Sequence, residues 1–486
     1  MSSNDFPERR QAWRALTALV CGFFLIMVDA TIVTVAMPAI MADLGTDASG
    51  VVWVTSAYLL AFAVPLLITG RLGDRVGPKN MYLAGMTVFT VASLACGLAP
   101  NLPILVVARA LQGLGASMIS PQSMAVITRM FPPRARGAAM GVWGAVGGVA
   151  TFAGPLLGGV LVGTLGWPWI FLINLPLGAA AFIAAVRLVP DLPKVAHRFD
   201  FLGVALSAVA MFCLVFGLEE GHHFGWGTIA GPISIPLLLV TGVVVLAIFV
   251  WWQTRTPEPL VPLSLFRDRD FSVANVAIMM MGGVVTAINI PLMFHLQTGQ
   301  GFGPTQAAVV LLPSALIGGA LGPSVGGYID RNHPRIVAVT GFALLTAALV
   351  SMAYLMAHEV SAWWLLVPSC LFGLANAGIW GPLSVSATRR LPRSRAGAGA
   401  GVYNTTRQFG AVLGAAMTAT LIASRLEARL GTPSGPLDPP QRLAYGQAMG
   451  DVVLALVALA VVGLVATLLL RGAAATAAVE KESVDA

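Results

Sequence analysis

Charge is scarce in this sequence: 28 Lys and Arg and 21 Asp and Glu serve 486 residues. The charged share is 10%, where a soluble domain carries about 25%. So few charges cannot clothe a water-soluble core, which excludes a soluble enzyme and makes lipid the main solvent. Cysteine is scarce as well. Cys21, Cys96, Cys213 and Cys370 sit in apolar stretches without CxxC spacing, so neither disulfides nor a zinc site is expected. Long basic runs are lacking despite a net charge of +7, and no nucleic-acid partner is expected. The short apolar/polar alternation of a membrane barrel is missing. Nothing shaped like a signal-peptide cleavage site follows the first apolar stretch. No constellation of His or acids gathers at one interface, so neither enzymatic chemistry nor a cofactor is expected.

What is present is apolar: 57% of residues are hydrophobic, gathered in blocks of about 20 residues, each enough for one membrane-spanning helix. Six blocks run from 13–38 to 167–189, two cover 201–218 and 231–252, and six run from 272–296 to 450–470. An all-α polytopic membrane protein of about fourteen transmembrane helices is expected. With the N-terminus placed in the cytoplasm, most Lys and Arg fall in loops on that side. The exceptions are Arg425, Arg429 and Arg442 outside, and Arg109 and Arg407 within spans. This bias puts both termini in the cytoplasm of a multi-pass cell-membrane protein.

A repeat supports the layout. RMFPPRARGAAMGVW from Arg129 and RRLPRSRAGAGAGVY from Arg389 align at one offset, matching Pro132 with Pro392, Gly137 with Gly397, Gly141 with Gly401 and Trp143 with Tyr403. GRLGDR at 70–75 aligns similarly with GGYIDR at 326–331. The chain reads as an N-terminal six-helix bundle at 1–190, an inserted helix pair with linkers at 191–270, a C-terminal six-helix bundle at 271–471 and a tail at 472–486. Paired bundles with a site at their midplane are common in secondary transporters.

Four segments carry a family resemblance. The loop after the second span, GRLGDRVGPKN, spaces Gly70, Gly73, Asp74, Arg75, Gly77 and Lys79 in a way that resembles the major facilitator signature G-x-L-x-D-R-x-G-R-K. Asp74 falls near the partially negative end of a helix and needs a cation or another helix's N-terminus to face it. The resemblance implies a conformational latch, docked near Arg395 to Gly397 at the start of the thirteenth span. ARALQGLGASMISP in the fourth span resembles the family's R-x-x-Q-G-x-G-A motif through Arg109, Gln112, Gly113, Gly115 and Ala116. In the fifth span, GAVGGVATFAGPLLGG resembles the antiporter motif through Gly154, Pro155, Gly158 and Gly159, which implies antiport and favours export. VDATIVTVAMP at 28–38 and YNTTRQFGAVLGAA with Arg407 and Gly410 are similar to the fourteen-span drug:proton antiporters of the EmrB/QacA type.

The resemblance implies a major facilitator fold of two six-helix bundles plus two inserted helices. It further implies a proton-coupled antiporter that exports lipophilic drugs or antibiotics by alternating access. Its partners are then protons, a small lipophilic substrate and the lipid bilayer. The alternative within transport is a dedicated exporter of one endogenous metabolite or self-made antibiotic. A non-transporting membrane sensor, which calls for an appended signalling domain, ranks behind both.

Apart from Asp451 at the very start of the last block, Asp29 is the only carboxylate inside the spans. Arg109 is costly in hydrocarbon and must face a partner. Counted from the outer helix ends at about 1.5 Å per residue, Asp29 and Arg109 lie at depths within about 5 Å of each other. They read as a structural ion pair, a proton-coupling pair, or both, since water access and separation from Arg109 set the proton affinity of Asp29. Candidate cavity residues are the aromatic Trp53, Tyr58, Trp143, Trp380 and Tyr403 and the amides Asn275, Asn289, Asn376 and Asn404. Met293, Phe294 and His295 join them near the outer end of the ninth span, and Arg407 is either a receptor for anionic cargo or a structural residue. Family members that export dications carry an extra acid in the tenth span. ALIGGALGPSVGGY has none, so neutral, monovalent cationic or anionic compounds fit better. Glu219, Glu220, His222 and His223 follow the seventh span and read as a solvated loop rather than a metal site, because no spaced ligand set accompanies them.

Overall fold

The computed structural model describes residues 9–46, 48–132, 135–194, 200–221, 224–358, 360–391, 395–430 and 438–471. The expected tail at 472–486, His222 and His223 lie outside these residues. The described chain is nearly all helical, with one hairpin in which β1 (Thr228–Ala230) pairs antiparallel with β2 (Ile233–Ser234). Among the described residues 13 helices are long and apolar enough to cross a membrane, or up to 14 if a bent pair counts as one span.

The chain forms two compact units. The first comprises Met1–Pro132, Val146–Leu263 and Leu391–Thr405. The second comprises Pro133–Ala145, Ser264–Arg390 and Thr406–Ala486.

In the first unit the helices are α1 (Arg9–Leu44), α2 (Ala48–Ala63), α3 (Leu66–Val76), α4 (Pro78–Gly97), α5 (Leu102–Met130) and most of α6 (Arg136–Leu165). They continue with the short α7 (Trp169–Leu172), α8 (Asn174–Leu188), α9 (Phe201–Glu219) and α10 (Ile235–Arg255). The second span is not the single block expected: α2 and α3 meet at 47°. Pro65 stands at the break, where its missing N–H interrupts the helix ladder. Gly77, at φ +102°, turns the chain from α3 into α4 in a conformation that favours glycine. α5 starts on Asn101, whose side chain accepts from the Ile104 N–H at 3.1 Å, a standard cap for an otherwise orphaned donor. α4 packs on α5, and α8 on both α4 and α1.

The helix pair α9 and α10 is stapled by Asp200. Its carboxylate caps the Gly203 N–H and accepts from Trp252 Nε1 and Gln253 Nε2, each at 2.8 Å. α9 also reaches α2, where Trp53 lies 5.7 Å from Phe216. α10 leaves Val240, Val243 and Trp251 exposed, an apolar face suited to lipid.

The solvated loop expected after the seventh span is corrected at its first two acids. Glu219 closes α9 and Glu220 is 1% exposed. The chain folds back here, with the Trp226 N–H on the Gly221 carbonyl at 2.7 Å and the Trp226 indole packed over Gly221.

The second unit holds α11 (Arg269–Ala287), α12 (Asn289–Phe294), a π-helical turn at His295–Gly299, α13 (Pro304–Arg331), α14 (Pro334–Ala357), α15 (Leu366–Thr388), the greater part of α16 (Ala396–Leu430) and α17 (Pro439–Leu468). α14 packs against α15 and α17 around Phe342, Leu345, Leu349 and Met352. The ninth span is segmented into α11, α12 and the π turn; Pro291 cannot donate to the preceding turn. α17 begins with a reciprocal capping box between Asp438 and Gln441.

Candidate functional site

Asp29 sits midway along α1 with no exposed surface. Its Oδ2 accepts from Arg109 Nη1 of α5 at 2.5 Å. Its Oδ1 accepts from Gln112 Nε2 at 2.8 Å and from Asn174 Nδ2 at 2.9 Å. Gln112 lies one turn beyond Arg109 on the same face of α5, as a three-residue spacing dictates, and Asn174 is the first residue of α8. Ser93 of α4 ties the two amides together, accepting from Gln112 at 3.1 Å and Asn174 at 3.0 Å while donating to the Phe171 carbonyl at 2.9 Å.

Arg109 is equally enclosed. Its Nε donates to the Val54 carbonyl at 2.9 Å and its Nη1 is shared with Gln112 Oε1 at 2.7 Å. The Tyr58 ring lies 4.2 Å from the guanidinium carbon and Phe171 lies 5.6 Å away. The Tyr58 hydroxyl donates to the Ile26 carbonyl at 3.0 Å, which holds the ring in place. Six helices thus converge on one ion pair. Losing either partner of such a buried pair costs about 3–5 kcal/mol, because it strands the other charge. The group contains no activated nucleophile; what it can exchange is a proton, once Arg109 and Asp29 separate and water enters.

The glycine face of α6 rests on the turn of α1 that carries Asp29. A Cβ at Gly154 would come within 2.9 Å of the Val28 carbonyl, and one at Gly158 within 2.9 Å of Ile32 Cγ1. Gly159 faces open space. Such contacts let backbones approach where side chains would hold them apart.

A second constellation surrounds Asp74 at the end of α3. Buried, it accepts from the Gly397 and Ala398 N–H groups at 3.0 and 3.1 Å and forms an ion pair with Arg129 of α5. These amides open α16, where donors lack intrahelical partners and the helix dipole favours a carboxylate. Gly70 sits against Gly397 and Gly401, and an added Cβ there would lie 2.8 Å from the Gly397 carbonyl. Gly73 abuts Gln122, Lys79 pairs with Asp191 at 3.8 Å, and Arg75 is exposed.

The same design recurs in the second unit. Asp330, at the end of α13, accepts from the Gly137 and Ala138 N–H groups at 2.6 and 3.0 Å at the start of α6. Arg136 beside them donates to the Thr388 carbonyl at 3.0 Å.

The candidate cavity residues are divided between the units. Trp53, Tyr58, Tyr403 and Asn404 belong to the first. There Trp53 faces Phe216 and Tyr58 covers Arg109, while Asn404 is buried and accepts from the Ser120 hydroxyl at 3.2 Å. Tyr403 is fully buried. In the second unit Asn376 accepts from Trp380 Nε1 at 3.0 Å, Asn275 donates to the Phe271 carbonyl of its own helix, and Asn289 of α12 donates back to the Val285 carbonyl of α11. Trp143 and His295 are buried, and Arg407 is half-buried with its backbone against Gly282.

Sequence reasoning had no grip on Asn174, Ser93 or Arg129. For Asp330 the signal was present, in the alignment of GGYIDR with GRLGDR.

The sequence profile of the Major Facilitator Superfamily matches residues 19–415. The chain belongs to the major facilitator superfamily. Superfamily members are membrane transporters and not enzymes, so this chain is a multi-pass membrane transporter. Within the superfamily it is 47% identical to the MFS-type transporter Rv1250 of Mycobacterium tuberculosis, over 87% of this chain and 72% of that one. It is 35% identical to the tetracenomycin C resistance and export protein of Streptomyces glaucescens, over 86% of this chain and 77% of that one. The crystal structure of the human organic anion transporter MFSD10 shares the superfamily fold, with a TM-score of 0.63 and 15% identity across 92% of this chain and 99% of that one.

Proposed function

We propose that this superfamily member is a proton-coupled antiporter of the fourteen-span drug:proton type, which exports lipophilic drugs or antibiotics across the cell membrane by alternating access. The observation that carries the reading is Asp29, a carboxylate in the middle of a spanning helix with every near neighbour arranged around its charge. A purely structural role would be served more cheaply by apolar side chains. In this reading the bundles at 1–190 and 271–471 alternate access, and both termini lie in the cytoplasm. Asp29 takes a proton from outside and gives it up inside as its distance to Arg109 changes. One proton supplies about 2.3 kcal/mol per 100 mV of membrane potential and about 1.4 kcal/mol per pH unit. Asp74 acts as a conformational latch on the start of α16. The glycine face of α6, lying on the Asp29 turn, lets α1 shift without breaking contact.

Purified protein in liposomes with an imposed pH gradient, offered a panel of lipophilic dyes and antibiotics, tests the proposal. Accumulation of a compound against its gradient is expected, and an ionophore that collapses the pH gradient is expected to abolish it. Accumulation indifferent to the ionophore rejects proton coupling. The second reading, a dedicated exporter of one self-made antibiotic, is favoured by the likeness to the tetracenomycin C exporter and predicts that one compound of the panel is carried.

A further inference from the structure

Glu219 and Glu220 stand side by side at the end of α9. Oε2 of Glu219 and Oε1 of Glu220 are both buried and have no hydrogen-bond partner. Glu219 accepts a hydrogen bond from Ser56 of α2, and the charge that faces it is that of Glu220. The surrounding elements bring no described cation. α2 has no charged residue along its length, and the one charge of α10, Arg255, stands at its far end. Beyond the pair, the described part of the connection from α9 to α10 is uncharged, and Trp226 packs there over Gly221. His222 and His223 follow in the sequence, outside the described residues. Buried carboxylates persist where a cation or a proton meets their oxygens.

We propose that Glu219 and Glu220 form a binding site for a small monovalent cation, a proton or a sodium ion, on the inserted helix pair. All the donors are oxygens, two from carboxylates and one from Ser56, which selects a hard cation over a soft metal. Among the described residues no group of three His, Cys, Asp or Glu could hold a metal ion. Its place gives it reach. Ser56 lies on α2 between Val54, whose carbonyl holds Arg109, and Tyr58, whose ring covers it. Occupancy of the pair therefore bears on the helix that positions Arg109, whatever compound is carried.

The test compares the wild-type protein in lipid nanodiscs with Glu219→Gln, Glu220→Gln and the double variant. Infrared spectra recorded across pH in sodium-free buffer read the proton, and equilibrium binding of radioactive sodium at fixed pH reads the metal. A titrating carboxylic-acid band that survives Asp29→Asn and is lost in the double variant establishes a proton site. Saturable sodium binding lost in the double variant establishes a sodium site. Neither signal depending on the pair overturns the proposal. Should the double variant fail to fold, the single variants carry the same readouts, and full retention of both signals in each overturns it.

Discussion

Asp330→Ala removes the one carboxylate on which the first amides of α6 depend. The Gly137 and Ala138 N–H groups, 2.6 and 3.0 Å from that carboxylate, belong to a first helical turn whose donors have no partner in their own helix. A hydrogen bond to a charged group contributes about 1.5–3 kcal/mol, and loss of a helix cap costs about 0.5–2 kcal/mol. Asp330 is only partly buried, so water makes good some of the loss and about 1–2 kcal/mol remains. At about 1.4 kcal/mol per factor of ten, that is roughly a 5- to 30-fold rise in local opening. Hydrogen exchange followed by mass spectrometry on peptides covering 135–145 reads it directly. Asp330→Asn, which keeps one carbonyl acceptor and loses the charge, falls between wild type and Ala. Asp74→Ala is the harsher change, because it strips Gly397 and Ala398 and also leaves Arg129, only 7% exposed, without its partner. The exchange increase at the start of α16 then exceeds that at α6, consistent with a cost of about 3–5 kcal/mol for a stranded buried charge. Unchanged exchange at 135–145 in Asp330→Ala would show that these amides do not depend on the carboxylate.

Gly154→Ala forces a methyl group against Thr31 and the Val28 carbonyl and is expected to destabilise by about 1–3 kcal/mol, with a lowered melting temperature and impaired export. Gly159→Ala meets open space and leaves both unchanged; equal effects of the two contradict the packing argument. His333, in the turn between α13 and α14, is held below the usual imidazole range by burial and then by Arg389, against a smaller opposite pull from Asp270. Its Nδ1 also accepts the Arg335 N–H at 3.3 Å, a role open only to the neutral ring. The folded state thus favours neutral His333, and its contribution is present above the ordinary imidazole value and lost as pH falls through it. His333→Gln is expected to flatten the fall in melting temperature between about pH 7 and pH 5; an identical fall in both proteins rules this out.

Much of the architecture is legible because a spanning helix writes itself as composition. The apolar blocks need no knowledge of their neighbours, and the offset between the Arg129 and Arg389 segments exposes the repeat by arithmetic. The depths of Asp29 and Arg109 follow from rise per residue alone. Facing is harder. Trp53 and Tyr58 share α2 and both read as cavity aromatics, yet one meets Phe216 and the other covers Arg109, a distinction that depends on where α9 and α5 pack. Asn174 looks like any polar residue near a loop, and it reaches Asp29 only because α7 and α8 turn its amide inward. Pro65 within an apolar block does not announce whether the helix bends or stops. Glu219 and Glu220 look solvated after a span, yet Glu220 is buried where the chain folds back with Trp226 over Gly221.

The most direct measurement concerns Asp29→Asn, which keeps the size of the side chain and an acceptor for Gln112 and Asn174 while removing the exchangeable proton. In liposomes under an imposed pH gradient, the variant is expected to insert, with a melting temperature lowered by the stranded Arg109 charge, and to perform no gradient-driven export. Wild-type rates of gradient-driven export by the Asn variant would contradict the account.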